Sequence, residues 1–166
     1  MQQNKGFATK GTLPMPSFNI IFDLRDVLFL YHPHHRGTPA QFTAIKEMIG
    51  LLHQISAQTN QIGKPRHRLY VLSNATQESY HNFISYHADI FSYFQGIVVS
   101  AFSGFQKPDR EAYTYLLNKY DLDPDTCIFI DDKQENIAAA QAVGMHGIVC
   151  TTPTQVKQDL SALYVL

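Results

Sequence analysis

Five short apolar runs, separated by longer polar and amphipathic stretches, constrain the fold of this chain more than any other feature of its sequence. The runs span residues 18–22, 69–72, 96–99, 127–130 and 147–150. Each is nearly continuous in apolar residues, which is typical of strands that are buried on both faces of a sheet. The sequence therefore predicts a five-stranded, mostly parallel sheet.

Helices are predicted between and after these strands, over residues 40–58, 77–87, 109–120, 134–143 and 154–163. The first has apolar residues three and four positions apart, and Gly144 provides a stop signal after the fourth. Strands that alternate with helices pair in parallel through right-handed crossovers. We therefore predict an α/β fold, a three-layer α/β/α sandwich with a doubly wound sheet.

The length and composition indicate a single domain and argue against a nucleic-acid or membrane partner. We predict a single core domain over residues 17–166, preceded by a flexible polar segment over residues 1–16. A net charge of −1 argues against a nucleic-acid partner. No apolar run approaches the roughly 18 residues of a membrane span. The two cysteines, Cys127 and Cys150, are predicted to be free thiols, which favours the cytoplasm.

Polar side chains follow four of the predicted strands, at or just beyond the point where each strand ends. In chain order they are Asp23, Ser73-Asn74, Lys107 and Asp131-Asp132. Each group alone is more commonly a turn residue, a helix entry or a helix cap. Because functional sites form at the carboxyl ends of parallel strands, the joint pattern predicts one site.

Electrostatics indicates what such a site would contain. Carboxylates from Asp23, Asp131 and Asp132 would repel one another there, and a hard divalent cation such as Mg²⁺ removes that repulsion. Lys107 adds a fixed positive charge, and Ser73 precedes backbone N–H groups that can bind an anion. These groups could hold a phosphoryl group and leave Asp23 free to attack it.

Four sequence motifs resemble those of the haloacid dehalogenase-like hydrolases. They are residues 22–28 (FDLRDVL), 71–74 (VLSN), 106–109 (QKPD) and 129–132 (FIDD). Asn136, Ala140 and Gly144 follow the fourth motif at the family's spacing. The resemblance extends from about residue 18 to residue 151, and residues 96–149 are most similar to the subgroup that contains phosphatases, phosphoglucomutases and haloacid dehalogenases.

The resemblance implies a metal site and a catalytic site. Asp23 would be both the nucleophile and a Mg²⁺ ligand, the backbone carbonyl of Arg25 would be a second ligand, and Asp132 with Asp131 would hold the ion from the other side. Two further catalytic residues and one substrate-binding residue are implied: Ser73, which would bond the phosphoryl oxygens, Lys107, which would neutralise charge on the nucleophile, and Asn74, which would line the site.

Arg25 departs from the family pattern, which usually has an aspartate two positions after the nucleophile. That aspartate protonates the leaving group and then activates water, and an arginine cannot do either. Asp26 is a candidate substitute, although a role as a turn residue or as a partner of Arg25 is the simpler interpretation. Arg25 itself could bind a substrate anion.

The cap domain usual in this subgroup is also missing. Only 49 residues separate Asp23 from Ser73, too few for a helical cap. The rim would then be formed by the loop over residues 30–37, which contains Tyr31, three histidines (His32, His34, His35) and Arg36. This loop is interpreted as an exposed turn, as a surface that contacts substrate or, less simply, as a transition-metal site. A covering subunit of a homo-oligomer is a further way to close the site.

Three functions remain open from sequence alone. The leading one is a Mg²⁺-dependent phosphatase that forms an aspartyl-phosphate at Asp23, acting on a phosphorylated small molecule or a phosphoprotein. Arg25 and the missing cap favour a second, a degenerate relative that binds a phosphorylated ligand or a protein without turnover. The third, a haloacid dehalogenase, is compatible with Arg25 but does not need the acidic pair at residues 131 and 132.

Overall fold

A computed structural model describes residues 15–166. The predicted flexible segment 1–16 lies outside the described residues except for its last two, which are exposed and form no helix or strand. The strands are β1 (Asn19–Phe22), β2 (Phe29–Tyr31), β3 (Phe42–Ala44), β4 (Arg68–Ser73), β5 (Gly96–Val99), β6 (Cys127–Asp131) and β7 (His146–Val149). The α-helices are α1 (Lys46–Ser56), α2 (Gln77–Tyr86), α3 (Ala88–Phe91), α4 (Ser100–Ser103), α5 (Arg110–Tyr120), α6 (Gln134–Ala142) and α7 (Pro153–Ala162).

Five strands form the central sheet in the order β5-β4-β1-β6-β7, and every neighbouring pair is parallel. The chain therefore winds outward from β1 in one direction through β4 and β5, then crosses back to β6 and β7. This arrangement confirms the predicted doubly wound sheet. It also places β1 in the centre, with β4 on one side and β6 on the other.

Two apolar cores cover the two faces of this sheet. Ile20 and Phe22 of β1 face a core that includes residues of α1, α2, α3 and α7. Ile21, between them, faces a second core that includes residues of α5 and α6. This alternation follows from the pleat of a strand, in which successive side chains point to opposite faces. The three predicted layers are therefore confirmed.

The predicted helix over residues 40–58 was wrong at its beginning. Helix α1 begins at Lys46, and the preceding segment is β3, which pairs antiparallel with β2. Phe42 packs on Phe83 with 4.0 Å between ring centroids and on Tyr31 at 5.4 Å. Burial of this aromatic ring in a hairpin outweighs the helical spacing of the apolar residues, because tertiary packing commonly overrides local propensity.

The β2–β3 hairpin and α1 make up most of the chain between β1 and β4. The other predicted helices agree with α2, α5, α6 and α7 to within one residue at each end, whereas the single turns α3 and α4 were not predicted. Cys127 and Cys150 are free thiols, as expected. Across residues 15–166 no helix is both long and apolar enough to cross a membrane.

Candidate active site

The predicted polar groups meet at the carboxyl edge of the central sheet. Strand β1 is followed directly by Asp23, whose backbone N–H donates to the carbonyl of Ile130 and so continues the pairing with β6 for one more residue. Strand β6 ends in Asp131 and strand β4 ends in Ser73. Because β6 and β4 flank β1, the register puts Asp131 beside Asp23 on one side, and on the other side it puts Ser73 one residue beyond the level of Asp23 on β4.

Three carboxylates converge closely at this edge. One oxygen each of Asp23, Asp131 and Asp132 lies within 4.8 Å of the others. Burial raises the pKa of Asp132, and the nearby charges of Asp131 and then Asp23 raise it further. The cluster is therefore electrostatically unfavourable by itself, which is the situation that a bound dication relieves.

Lys107 lies within this cluster and is almost completely buried, with 5% of its surface exposed. Its Nζ atom lies 2.6 Å from Oδ2 of Asp131 and 3.1 Å from Oδ1 of Asp23. One ammonium balances one of the three carboxylates, so the site retains a net negative charge at neutral pH when all four groups are ionised. The atoms of this cluster that could bind a metal are all carboxylate oxygens, which suits Mg²⁺.

Asp131 is fully buried and its two oxygens are occupied by the protein itself. Oδ1 accepts hydrogen bonds from the backbone N–H of Lys133 at 2.9 Å and from Nδ2 of Asn136 at 2.9 Å. Oδ2 accepts from Lys107 at 2.6 Å and from Asn136 at 3.0 Å. Asp131 therefore anchors the cluster, and the oxygens that remain for a ligand belong to Asp23 and Asp132.

Asp23 retains an unsatisfied oxygen. Its Oδ1 atom is buried and forms an ion pair with Lys107, yet it receives no hydrogen bond within residues 15–166. The charge of Lys107, 3.1 Å away, is thus the one interaction that the described residues provide for this buried oxygen, which keeps capacity to accept a ligand. This oxygen and the partly exposed carboxylate of Asp132 fit a divalent cation of the kind predicted.

Asn136 and Tyr113 support the site, and the sequence had assigned a role to neither. Asn136 donates to both oxygens of Asp131, and the hydroxyl of Tyr113 donates to the backbone carbonyl of Asn136 at 2.8 Å. Burial raises the pKa of Tyr113, and the charges of Asp131 and Asp23 contribute in the same direction. The spacing of Asn136 after the fourth motif was the one available signal for this support.

Asn74 fixes the backbone of Lys107. Its Nδ2 atom donates to the carbonyl of Lys107 at 2.8 Å, and its Oδ1 atom accepts from the N–H of Lys107 at 2.9 Å. Both polar atoms of the Asn74 side chain are thus engaged, so the contact with substrate predicted for this side chain stays a prediction. Ser73, before it, is buried, with 3% of its surface exposed.

Arg25 and Asp26 lie at the exposed rim just beyond Asp23. Asp26 has a left-handed backbone with φ of 61°, and its N–H donates to the carbonyl of Phe29 at 2.7 Å. Its Oδ2 atom lies 3.8 Å from Nε of Arg25, whose guanidinium carbon lies 5.8 Å from the ring centroid of Tyr31. Asp26 therefore serves as a turn residue and as a partner of Arg25.

A cavity of about 250 Å³ lies between the hairpin and the beginning of α2. It is lined by residues of both signs and by aromatic rings, among them Arg25, Tyr31, Arg36, Ser73, Glu78 and Phe83. Nη2 of Arg36 lies 2.8 Å from Oε2 of Glu78 and so connects the hairpin loop to α2. His32, His34 and His35 form no metal-ligand group in the described part of the chain.

Solved structures with the same fold include proteins from several bacteria. A protein from Listeria monocytogenes superposes with a TM-score of 0.67 at 17% identity, covering 90% of this chain and 99% of that one. A HAD family enzyme from Bacteroides thetaiotaomicron, in complex with magnesium and inorganic phosphate, superposes with a TM-score of 0.63 at 16% identity, covering 79% and 92%. At these identities the likeness establishes the fold.

Two curated relatives are more similar in sequence. The sesquiterpene phosphatase astK of Aspergillus oryzae is 37% identical over 95 residues, which are 57% of this chain and 48% of the relative. The flavin mononucleotide hydrolase 1 of Arabidopsis thaliana is 31% identical over 84 residues, which are 51% of this chain and 34% of the relative. The chain thus spans about half or less of the length of the curated relatives it matches.

The sequence pattern of one family matches more than half of the chain. It covers residues 59–144 and so includes Ser73, Lys107, Asp131 and Asp132, while Asp23 lies before it. The structure supplies the missing connection, because it pairs Asp23 with Lys107 inside the carboxylate cluster. The resemblance noted in the four motifs is thereby confirmed: the chain belongs to the haloacid dehalogenase-like hydrolases.

Proposed function

We propose that this hydrolase is a Mg²⁺-dependent phosphatase that acts through an aspartyl-phosphate at Asp23. One observation carries the proposal: the buried Lys107 ammonium lies between Asp23 and Asp131, with Asp132 beside them. A carboxylate oxygen that is paired with a fixed cation, and that accepts no hydrogen bond from the described residues, is a suitable nucleophile for phosphorus. The phosphatase relatives support this assignment.

Asp23 and Asp132 would hold the ion, with the backbone carbonyl of Arg25 as a further ligand and Asp131 fixing the geometry from behind. When bound, Mg²⁺ supplies positive charge that offsets the charge of the phosphoryl oxygens. The family spacing of these residues and the oxygen-only cluster support this ligand set.

The remaining residues act on the phosphoryl group directly or through Asp23. A carboxylate oxygen of Asp23 forms a bond to phosphorus as the bond to the leaving group breaks, and water then hydrolyses the aspartyl-phosphate. The hydroxyl of Ser73 donates to a phosphoryl oxygen, and Lys107 stabilises the charge on Asp23 and on the intermediate. The substrate is a phosphorylated small molecule or a phosphoprotein, and the cytoplasmic location remains a prediction.

The experiment is hydrolysis of an aryl phosphate by wild type and by Asp23→Asn, with and without Mg²⁺. We expect the wild-type rate to require Mg²⁺ and the variant to lose nearly all activity. Asp89→Asn provides the matched control, because it makes the same chemical change at an exposed residue in the first turn of α3. Equal rates for wild type and Asp23→Asn would refute the proposal.

Arg25 favours a second candidate function, a protein that binds a phosphorylated ligand without turnover. Its side chain lines the cavity beside Ser73, where it can bind an anion. Phosphate binding measured by calorimetry, together with no hydrolysis across a panel of phosphate esters and anhydrides, would favour this candidate over the phosphatase.

A further inference from the structure

The cavity beside Ser73 is the space available to the part of the substrate that leaves. We assign Ser73 to the phosphoryl group, and Ser73 also lines this cavity, so the cavity is the recess beside the phosphoryl position in which we place the leaving group. Two arginines, Arg25 and Arg36, and a single carboxylate, Glu78, are the charged residues of its lining. The inference below rests on the proposed phosphatase function.

No carboxylic acid among the described residues that line the cavity is available to give a proton. The carboxylate of Glu78 accepts a hydrogen bond from Nη2 of Arg36 at 2.8 Å, and this bond lowers the pKa of Glu78. Arg25 stays protonated and cannot serve as an acid. Asp26, next to it, is a turn residue paired with Arg25.

The lining therefore suits a leaving group that departs as an anion. In the first step an oxygen of Asp23 bonds to phosphorus, the bond from phosphorus to the leaving oxygen breaks, and that oxygen keeps the electron pair. An alkoxide needs a proton at this moment, whereas a phosphate, a carboxylate or a stabilised phenolate does not. We propose that this site takes phosphoanhydrides, acyl phosphates and activated aryl phosphates, and that Arg25 binds the departing anion.

The lack of an available carboxyl group in the cavity lining also affects the second step, hydrolysis of the aspartyl-phosphate. Water must bond to phosphorus while the bond to Asp23 breaks and its electrons return to the carboxylate, and the water proton passes to solvent or to the phosphate product. No free carboxylate in the described cavity lining can act as a base for this water. The second step is therefore the slow one, and phosphorylated Asp23 accumulates during turnover.

The test is a series of phosphoryl donors that differ in the stability of the leaving anion. It includes acetyl phosphate, a nucleoside diphosphate, substituted aryl phosphates and a simple alkyl phosphate. We expect kcat/KM to fall by about 10²-fold or more from 4-nitrophenyl phosphate to the alkyl ester, since no acid assists the poorer leaving group. A rapid burst of nitrophenolate, approaching one equivalent per chain, should precede the steady rate.

Two substitutions at Arg25 distinguish the effect of its positive charge from the effect of lacking a general acid. Its side chain is about half exposed, at 52%, so replacement leaves the core intact. Arg25→Asp should raise alkyl-ester hydrolysis by about 10²-fold and abolish the burst, because it provides an acid and a base. Arg25→Leu should slow acetyl phosphate hydrolysis about tenfold and keep the steep dependence on the leaving group.

Tyr31→Phe is a control, because the phenol of Tyr31 lies in the cavity lining near Arg25 and is another group that could give a proton. We expect this variant to leave the dependence of kcat/KM on the leaving group unchanged. The inference is overturned if wild type hydrolyses the alkyl ester as fast as the nitrophenyl ester, if no burst appears, or if Tyr31→Phe steepens the dependence. Equal rates of wild type and Asp23→Asn on every donor would instead refute the proposed function itself.

Discussion

Asp131 and Asp132 are neighbours in sequence with different tasks in the structure. Asp131 is completely buried and accepts hydrogen bonds from Lys107, Lys133 and Asn136. Asp132 is partly exposed, and burial together with the charges of Asp131 and Asp23 raises its pKa. The first carboxylate therefore stabilises the folded chain, whereas the second is costly to the folded chain and is available to a metal ion.

This difference predicts opposite effects for two conservative substitutions in metal-free protein. Asp132→Asn should raise the free energy of unfolding by at most about 1 kcal/mol, because it removes a carboxylate repelled by its neighbours. Asp131→Asn should lower it by about 3 kcal/mol or more, because it breaks a buried pair and leaves Lys107 with fewer acceptors. Urea unfolding at pH 7 in the presence of a chelator measures both. Equal destabilisation by the two substitutions would contradict the assignment of tasks.

The buried side chain of His67 should make the stability of the protein depend on pH. It is buried, with 3% of its surface exposed, it stacks on Phe18, and its Nδ1 atom accepts from the backbone N–H of Phe18 at 3.1 Å. Burial, and then the charge of Arg66, lowers its pKa to about 4, whereas an unfolded histidine has a pKa of about 6.5. Below pH 6.5 the unfolded chain thus binds the proton and the folded chain does not.

Stability should therefore fall as the pH is lowered from about 6.5 towards 4, by on the order of 1–3 kcal/mol from this residue, and the contribution should be constant above that range. Chemical unfolding of wild type and His67→Gln at pH 5.0, 6.0 and 7.5 measures it. The variant should be less stable at pH 7.5 but show a flatter profile. His34→Gln, at an exposed position, should keep the wild-type slope. Parallel profiles for wild type and His67→Gln would refute this prediction.

At the scale of residues, the sequence could predict which side chains meet but not how they bond. Asp23, Ser73 and Asp131 follow from strand ends alone, because the edge of a parallel sheet brings strand ends together. The double contact of Asn74 with the backbone of Lys107 depends on the path of the loop after β5, which no periodicity encodes. The support from Tyr113 depends on how α5 packs on α6.

At the scale of elements, the apolar runs predicted the central sheet well and the hairpin not at all. All five runs overlap strands of the sheet, since burial on both faces leaves a pattern that few other structures produce. Strands β2 and β3 are three residues each, and the helix-like spacing that begins at Phe42 conceals β3. Their pairing depends on contacts with Phe83 of α2, which lies about forty residues further along the chain.

Replacement of two glycines in different elements by alanine is expected to change the stability of the protein in opposite directions. A Cβ atom on Gly96 of β5 would lie 2.3 Å from the ring of Tyr120, whose hydroxyl accepts from the N–H of Ile97 at 3.0 Å and so resists displacement. Gly96→Ala should therefore destabilise the protein by about 1–3 kcal/mol. A Cβ atom on Gly50 of α1 meets nothing within 4 Å, and Gly50→Ala should stabilise by about 0.5–1 kcal/mol. Thermal unfolding of both variants checks the signs, and a Gly96→Ala variant as stable as wild type would show that the ring of Tyr120 gives way.

At the scale of the whole molecule, the site unites two parts of the chain that sequence comparison separates. The family pattern begins at residue 59, so the part of the chain with Asp23 lies outside it. Pairing of β1 with both β4 and β6 carries Asp23 between the two strands that hold Ser73 and Asp131. Formation of the site therefore requires the three central strands, β4, β1 and β6, and disruption of any of them should remove it.

This dependence on the folded sheet predicts that Mg²⁺ stabilises the folded protein. Asp23 and Asp132 are far apart in sequence, so the unfolded chain has no preformed site and binding favours the folded state alone. At free Mg²⁺ 100-fold above its dissociation constant, the free energy of unfolding should rise by about 2.7 kcal/mol. Thermal unfolding over a Mg²⁺ titration measures the gain, with NaCl of equal ionic strength to separate binding from screening. Asp132→Asn should lose most of this gain while its metal-free form stays at least as stable as wild type. If NaCl reproduces the gain, or if the variant keeps it in full, the acidic cluster does not bind the ion, and the phosphatase proposal loses its metal site.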